Sequence, residues 1–269
     1  MSAVRPDPTP HVPEGPVPSS QEGRRLLELV KVMARLRGPG GCPWDREQTH
    51  ETLARHVLEE AHELLDAIDG GDSDAIRDEL GDLLLQVVFH AQLAAEDGRW
   101  DIDDVARRLV EKLIHRHPHV FGDVEVSGAA EVLTNWEKLK AEETGARRGV
   151  DEEIPATLPA LARAAKVQRR AAGWGAEWSA TSDAIDALRE DVDALASAGD
   201  DDVEARVGDL LFAAVAASRT LGVDAESALR HATREFADRF ERLMAEGGHA
   251  EGSLAAEDVE GLFRRPTGE

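Results

Sequence analysis

The chain has 269 residues and a formal net charge of −23 at pH 7, which is length enough for one large or two small domains. So acidic a sequence lacks the basic face that binding to a nucleic-acid polymer requires, and it repels polyanionic ligands unless cations are supplied locally. The chain has one cysteine, Cys42, so an intramolecular disulfide is excluded and a reducing cytosol fits. No apolar run approaches the ~18 residues of a membrane span. We therefore expect a cytoplasmic protein that binds no membrane.

The N-terminal part of the chain predicts a tail followed by one helix. Residues 1–20 contain six prolines and few apolar side chains, so we expect them to be disordered. Apolar residues then recur at helical spacing from Leu26 to Leu36 and stop at a GPGG breaker that begins at Gly38. The pattern indicates an amphipathic helix that ends before this breaker.

Five acidic side chains lie on the next two predicted helices, three on the first and two on the second. They are Glu59, Glu60 and Glu63, followed by Glu79 and Asp82. Residues three or four apart share a helical face, so each helix carries its own carboxylate patch. The intervening sequence DGGDS has glycines to end one helix and an aspartate or serine to cap the next, which predicts an antiparallel hairpin. Counted from this turn at about 1.5 Å per residue, Glu63 matches Glu79 in height and Glu60 matches Asp82, so the patches face each other.

The sequence around these carboxylates favours a metal site over a solvated acidic face. Glu79 and Asp82 are interleaved with seven large apolar residues between Leu80 and Phe89, so we expect their helix to be well buried. Two carboxylates about 5 Å apart repel by roughly 3 kcal/mol at an effective dielectric constant near 20, and a divalent cation relieves that repulsion. Hard cations prefer oxygen ligands and keep positions open for water and phosphate, which predicts Mg²⁺, with Mn²⁺ able to substitute.

The remaining elements are also predicted to be helical. Helices are expected near residues 102–116 and 129–143, and residues 144–156 are expected to form a linker because they combine glycines, a proline and an acidic run. No stretch has a convincing period-two strand pattern. The predicted fold class is therefore all-α, with helical-bundle modules in tandem.

The tandem arrangement is indicated by an internal repeat. The segment ELGDLLLQVVF from Glu79 recurs as RVGDLLFAAVA from Arg206, which predicts two copies of one helical module. In the second copy Ala194 replaces Glu63, and Arg206 replaces Glu79 with a cation that would occupy the place of the metal. The first copy should therefore carry the working site, and the second a structural role. The predicted division is a tail at 1–20, an active module at 21–143, a linker at 144–156, a second module at 157–250 and a C-terminal tail at 251–269.

These motifs resemble those of the MazG nucleoside triphosphate pyrophosphohydrolases, all-α proteins in which an EExxE motif precedes an ExxD motif. The sequences EEAHE from Glu59 and ELGD from Glu79 match that pattern, and four further segments look like the family. They are GCPWDREQT from Gly41, GDLLLQVVFHAQ from Gly81, KLIHRHPHVFGDV from Lys112 and NWEKLKAEE from Asn135, so that the resemblance covers roughly residues 21–250. It implies hydrolysis of nucleoside or deoxynucleoside triphosphates to the monophosphate and pyrophosphate by a homodimer. It also implies a role in clearing unwanted or damaged nucleotides or in adjusting nucleotide levels.

The resemblance gives each of the five acidic residues a catalytic role. Glu60, Glu63, Glu79 and Asp82 are assigned as magnesium ligands. Glu59, one helical step round, is assigned either to a second metal or to the attacking water as general base, and the sequence does not separate these two roles.

Five other residues are candidates for binding the substrate. Lys112 and Arg116 lie four apart on one helical face and suit a triphosphate clamp, against the alternative of an ordinary exposed basic face near a helix C-terminus. Trp136 would stack on the base or sugar, Lys138 would reach phosphate, and Trp44 is a second candidate for the base pocket. Core packing is the alternative for both tryptophans.

Two other classes of protein compete with this hypothesis. Glu59 and His62 have the Glu-x-x-His spacing of a carboxylate-bridged di-iron bundle, but that architecture needs the motif twice, and ELGD has no histidine. A non-catalytic helical scaffold would not explain why five carboxylates occupy matched positions on two neighbouring helices. His62 is left open between support of the metal site and core packing, whereas His56 and His90 are interpreted as structural.

Overall fold

The computed structural model describes residues 23–128, 131–132, 135–136, 139, 149–152, 154–247 and 254–263. Within those residues every regular element is a helix, so the predicted all-α class is confirmed. The helices are α1 (Arg24–Arg37), α2 (Pro43–Glu47), α3 (His50–Gly70), α4 (Ser73–Glu96), α5 (Ile102–Arg116), α6 (Pro118–Phe121), α7 (Ala160–Ala172), α8 (Thr181–Ala196), α9 (Val203–Thr220), α10 (Ala225–Gly247) and α11 (Ala256–Phe263). None of these helices combines the length and the apolarity that crossing a bilayer needs.

The chain forms two compact units, Met1–Ala146 and Arg147–Glu269. The first unit contains α1 to α6 and the second contains α7 to α11. Helix α5 confirms the helix predicted at 102–116. Residues 1–20 and most of 129–143 lie outside the described residues. The finer boundaries of the modules, the linker and the tails stay predictions.

Local capping explains the hairpin of α3 and α4. Thr49 begins α3 with a hydroxyl that accepts from the backbone N–H of Thr52, and the Thr52 hydroxyl accepts in return from the Thr49 N–H at 2.9 Å. Gly71, at φ 72°, takes the left-handed conformation that ends α3. The Asp72 carboxylate then begins α4 by accepting from two backbone N–H groups at 2.9 and 3.3 Å. Both breaks lie inside DGGDS, so the predicted antiparallel hairpin is confirmed.

The core of the first unit forms where α1, α3 and α4 pack together. Met33 from α1, Leu53 from α3 and Val88 from α4 are each 1% exposed, and Phe89 and Leu93 complete the cluster. These residues lie at the end of the hairpin that is remote from its turn. The carboxylates of the hairpin therefore lie between the core and the turn.

Arg37 connects α1 to α4 and to the short helix that carries Trp44. Its Nε donates to both Glu96 carboxylate oxygens at 2.9 and 3.1 Å, and its Nη2 donates to Oε2 at 2.7 Å. Its Nη1 donates to the backbone carbonyls of Asp45 and Gln48. Since only 7% of the Arg37 side chain is exposed, this buried fork fixes α2 against the ends of α1 and α4.

Helix α4 is less buried than its apolar sequence predicts. Leu80, Leu84 and Val87 are 50%, 39% and 41% exposed, and the buried residues of this helix begin at Gln86. A helix that is apolar on all sides needs neighbours on all sides, and the described helices of this unit leave one face of α4 open. The expectation of a well-buried helix around Glu79 is therefore wrong.

The second unit repeats the order of the long helices α1, α3, α4 and α5 of the first. Helices α8 and α9 form a hairpin, α7 packs against α9 and α10, and α10 packs against α9. Ala184 and Val215, each 1% exposed, occupy positions equivalent to core residues of α3 and α4. Within 251–269, α11 packs on α10, where Leu262 is buried and its carbonyl accepts from Arg239 Nη2 at 2.9 Å.

Candidate metal centre

Three of the five predicted carboxylates converge on the α3–α4 hairpin. Glu60 from α3, with Glu79 and Asp82 from α4, contribute carboxylate oxygens that lie within 4.8 Å of one another. Glu79 and Asp82 are three residues apart, so one turn of α4 presents both to α3. Across the described part of the chain, these residues form the one group of three or more acidic, histidine or cysteine side chains with the spacing of metal ligands.

Burial and proximity raise the pKa values of two carboxyl groups in this cluster. Burial raises the pKa of Glu60, and the negative charges of Asp82, Glu63 and Glu79 raise it further. Burial likewise raises the pKa of Glu79, with added repulsion from Glu63, Asp82 and Asp78. The anionic form of each group is thus destabilised by its surroundings, and a bound cation would reverse that effect.

A divalent cation fits this set of oxygens. Glu79 Oε2 is buried and, within the described residues, has no hydrogen-bond partner. A buried anionic oxygen without a donor is costly, and a cation that binds carboxylates compensates for that cost. Because all the donors are carboxylate oxygens, the set suits a hard cation such as Mg²⁺ or Mn²⁺.

The other two carboxylates of the motif have different surroundings. Glu63 is exposed and lies outside the three-oxygen group, although its charge acts on both Glu60 and Glu79. Glu59 is also exposed, and its Oε2 lies 2.9 Å from His56 Nδ1. The structure thus separates Glu59 from the converging set, while the roles assigned to all five residues stay predictions.

The di-iron alternative gains no support from this geometry. The converging group contains no histidine, and Glu59 pairs with His56 rather than with His62. His62 is exposed, so the core-packing interpretation of that residue is wrong.

The candidate phosphate-binding residues on α5 differ in their exposure. Lys112 is exposed and lines an open groove together with Arg108, Glu111 and His115. Arg116 is buried, and its guanidinium lies 5.2 Å from the centroid of the half-buried Trp136 ring. The side chains of Lys112 and Arg116 therefore do not form one exposed basic face. Lys138 lies outside the described residues.

Trp44 is the candidate base-binding residue with the most accessible ring. It lies on α2 and is 52% exposed, so core packing does not account for it. Its ring stands edge-on to His56, with centroids 6.3 Å apart and planes at 65°. The sequence predicts a structural role for His56, and the structure shows this residue in contact with both Trp44 and Glu59. Its position three residues before Glu59, on the same helical face, was the sequence signal for this contact.

The equivalent region of the second unit carries an ion pair. Arg206 Nη1 lies 3.5 Å from Asp209 Oδ2, at the positions that correspond to Glu79 and Asp82. The guanidinium thus neutralises the aspartate that corresponds to Asp82. This geometry supports the proposal that the second copy has a structural role.

The fold and the carboxylate group define an all-α protein whose helical hairpin presents an acidic site of the kind that suits hard divalent cations. The sequence model of the MazG nucleotide pyrophosphohydrolase domain matches residues 48–121, which include α3 to α6. A nucleoside triphosphate pyrophosphohydrolase of Escherichia coli K12 is 43% identical over 253 residues, which cover 90% of this chain and 96% of that protein. The nucleoside triphosphate pyrophosphohydrolase/pyrophosphatase MazG of Thermotoga maritima is 45% identical over 225 residues, or 83% of this chain and 87% of that protein. The chain belongs to the MazG family, which confirms the resemblance of its motifs.

Proposed function

We propose that this chain is a Mg²⁺-dependent nucleoside triphosphate pyrophosphohydrolase, which converts a nucleoside or deoxynucleoside triphosphate and water to the monophosphate and pyrophosphate. The observation that carries the proposal is the convergence of oxygens from Glu60, Glu79 and Asp82 within 4.8 Å. The names of the E. coli and T. maritima relatives point to the same reaction. Mn²⁺ is expected to substitute for Mg²⁺ because both prefer oxygen ligands.

The hairpin supplies the ligands and a candidate base. Glu60, Glu79 and Asp82 would hold the cation, and Glu63, whose charge acts on Glu60 and Glu79, stays a candidate for a fourth ligand. A Mg²⁺ ion held there would neutralise charge at phosphate oxygens and would lower the pKa of a water bound to it. Glu59 remains available either to accept a proton from the attacking water or to bind a second cation.

The substrate contacts are assigned from exposure and chemistry. Lys112 displays an ammonium group on the open face of α5 and would contact the triphosphate. Trp44 displays a ring that would stack on the base. Arg116, against the Trp136 ring, would orient that ring for contact with the base or sugar. Lys138 stays a candidate for phosphate on sequence grounds.

A homodimer is proposed because the hairpin of the first unit has an open apolar face. Leu80, Leu84 and Val87 lie on one side of α4, and all three are at least 39% exposed. A second copy of the same chain would cover such a face symmetrically. We also propose a cytosolic location. The proposed role is to clear unwanted or damaged nucleotides or to adjust nucleotide levels, because a cation on these carboxylates would bind the triphosphate that all nucleotides share.

The test is hydrolysis of a panel of ribo- and deoxyribonucleoside triphosphates with Mg²⁺, with the products separated by anion exchange. Monophosphate and pyrophosphate support the proposal, and omission of the metal should abolish their release. Release of diphosphate and orthophosphate would contradict the proposal, because a different phosphoanhydride bond would then be cleaved. A purified chain that cleaves no triphosphate would favour the helical scaffold instead.

A further inference from the structure

His56 connects two parts of the proposed site. It lies on α3, one helical turn before Glu59, and 25% of its side chain is exposed. Its Nδ1 is 2.9 Å from Glu59 Oε2, and its ring edge meets Trp44 of α2 at a centroid distance of 6.3 Å. One imidazole therefore contacts both the candidate base or second-metal ligand and the candidate base-stacking ring.

The neighbouring arginine defines which nitrogen of His56 carries the proton. Arg55 Nε lies 3.3 Å from His56 Nε2, and an arginine N–H can only donate. Nε2 must then hold a lone pair, so the neutral ring carries its hydrogen on Nδ1. Nδ1–H donates to the Glu59 carboxylate, which leaves the other oxygen of Glu59 open to a water or a cation.

We propose that His56 is a positioning residue for the hydrolysis, which orients Glu59 through Nδ1–H and supports Trp44 through its ring edge. This inference rests on the proposed function. The internal repeat is consistent with it, because the position equivalent to His56 in the second unit is Ala187, and that unit also lacks the equivalents of Glu63 and Glu79. The two interactions of His56 use different atoms, so substitutions can remove them one at a time.

Two substitutions separate the hydrogen bond from the ring contact. His56→Asn keeps an N–H donor near the position of Nδ1 and removes the ring, whereas His56→Phe keeps the ring and removes the donor. We expect His56→Phe to lower kcat about tenfold, the size of effect seen when a side chain that orients a functional group is lost, with little change in KM. His56→Asn should recover most of kcat and raise KM by about two- to tenfold, as loss of an aromatic contact implies.

Two further variants complete the design. His56→Gln, whose amide extends toward the position of Nε2, should behave as His56→Phe in kcat. His231, an exposed histidine of α10 in the second unit, supplies the control, and His231→Asn and His231→Phe should leave both constants unchanged. Helix content and unfolding temperature of every variant should match the wild type, which excludes a general loss of fold.

A second measurement does not depend on activity. Long-range ¹H–¹⁵N NMR spectra at pH 8, with the His56 signals assigned by their loss in His56→Asn, report the tautomer directly. The Nδ1–H form is expected, and a predominant Nε2–H form would overturn the inference. Equal kcat values for wild type and His56→Phe, or equal losses in His56→Phe and His56→Asn, would also overturn it. A wild type that releases no pyrophosphate contradicts the proposed function instead, while the tautomer still tests the hydrogen bond by itself.

Discussion

Asp82 and Asp209 occupy equivalent positions in the two copies of the internal repeat, but the electrostatic surroundings of the two carboxylates are opposite. Asp82 lies among the oxygens of Glu60 and Glu79, whereas Asp209 lies 3.5 Å from the Arg206 guanidinium. A bound cation would relieve the repulsion among the carboxylates at the first position, whereas at the second position the Arg206 side chain already supplies a positive charge. These two aspartates are therefore a matched pair for testing which copy carries the chemistry.

We expect Asp82→Asn to lower Mg²⁺-dependent pyrophosphate release by about a hundredfold or more, because a bound metal contributes several kcal/mol to stabilising charge in the transition state. Asp209→Asn should change the same rate by less than about twofold, since an exposed substitution outside the site has little effect. The measurement is the steady-state rate at saturating triphosphate and Mg²⁺. Equal losses in the two variants would contradict the assignment of the working site to the first copy.

The raised pKa values of Glu60 and Glu79 make stability depend on pH in a defined direction. Below the usual value of 4.5 both groups are protonated in the folded and in the unfolded chain, so their contribution to stability is fully present. As the pH rises above 4.5 the unfolded chain releases its protons first. The contribution is then lost as the pH passes through the raised folded-state pKa values.

As the pH rises from 4.5 to neutrality, we therefore expect the unfolding temperature of the metal-free wild type to fall relative to that of the double variant Glu60→Gln/Glu79→Gln. Mg²⁺ at pH 7 should restore the wild type and leave the double variant unchanged, because a cation replaces the missing protons. Thermal melts in EDTA and in Mg²⁺ measure both effects. Parallel pH curves for the two proteins would show that these carboxyl groups are not coupled as described.

At the scale of the helices, Arg37 provides the main polar connection between α1 and α4. Its pairing with Glu96 lowers the pKa of the Glu96 carboxyl group, chiefly through the hydrogen bonds that the guanidinium donates. A lowered folded-state pKa contributes stability above the usual pKa, and that stability is lost as the pH falls through the folded-state value. The pairing therefore stabilises the unit at neutral pH and weakens in acid.

We expect Arg37→Ala to lower the free energy of unfolding by about 1–3 kcal/mol, less than for a fully buried pair because Glu96 is partly exposed. Arg77→Ala, which removes solvent-exposed pairs with Asp74 and Asp78, should cost less than about 1 kcal/mol. Urea unfolding at pH 7 measures both changes. Similar costs for the two variants would mean that burial of Arg37 adds nothing to stability.

The α3–α4 hairpin could be predicted because its determinants are local. Gly71 and Asp72 make their capping hydrogen bonds within four residues of their own position, as helix caps do. Matched distances from the turn also brought Glu60 and Asp82 together correctly. The prediction could not specify how each helix is rotated about its axis, which packing decides, and so it did not distinguish Glu63 from the three converging residues.

Other features depended on contacts that a single segment does not encode. Arg116 shares a predicted face with Lys112, but its burial against Trp136 depends on a residue twenty positions later in the chain. The sequence did not predict the open face of α4. Its apolar composition indicates that the helix needs packing neighbours on all sides, but not whether the same unit provides them. The contact of His56 with Trp44 likewise joins two helices.

At the scale of the whole molecule, the open face of α4 predicts self-association. Burying the exposed parts of Leu80 and Leu84 contributes about 1 kcal/mol for each leucine, or about 4 kcal/mol over two symmetric copies. Replacing both with glutamine should therefore weaken dimerisation several hundredfold. Light scattering after size exclusion measures the mass at micromolar concentrations of the chain.

The wild type should have twice the mass of one chain, and Leu80→Gln/Leu84→Gln should have the mass of one. Leu221→Gln, at an exposed leucine outside this face, is the matched control and should remain dimeric. A monomeric wild type, or a double variant that stays dimeric, would show that this face has another role.

The measurement that tests the central claim most directly is calorimetric titration of Mg²⁺ and Mn²⁺ into the wild type, Asp82→Asn and Asp209→Asn, each with a non-hydrolysable triphosphate analogue. Divalent ions should bind to the wild type and to Asp209→Asn, and binding to Asp82→Asn should be lost or strongly weakened, because the oxygens of Glu60, Glu79 and Asp82 act together. Uptake by Asp82→Asn equal to that of the wild type, or no uptake by the wild type with the nucleotide present, would contradict a metal centre on this hairpin.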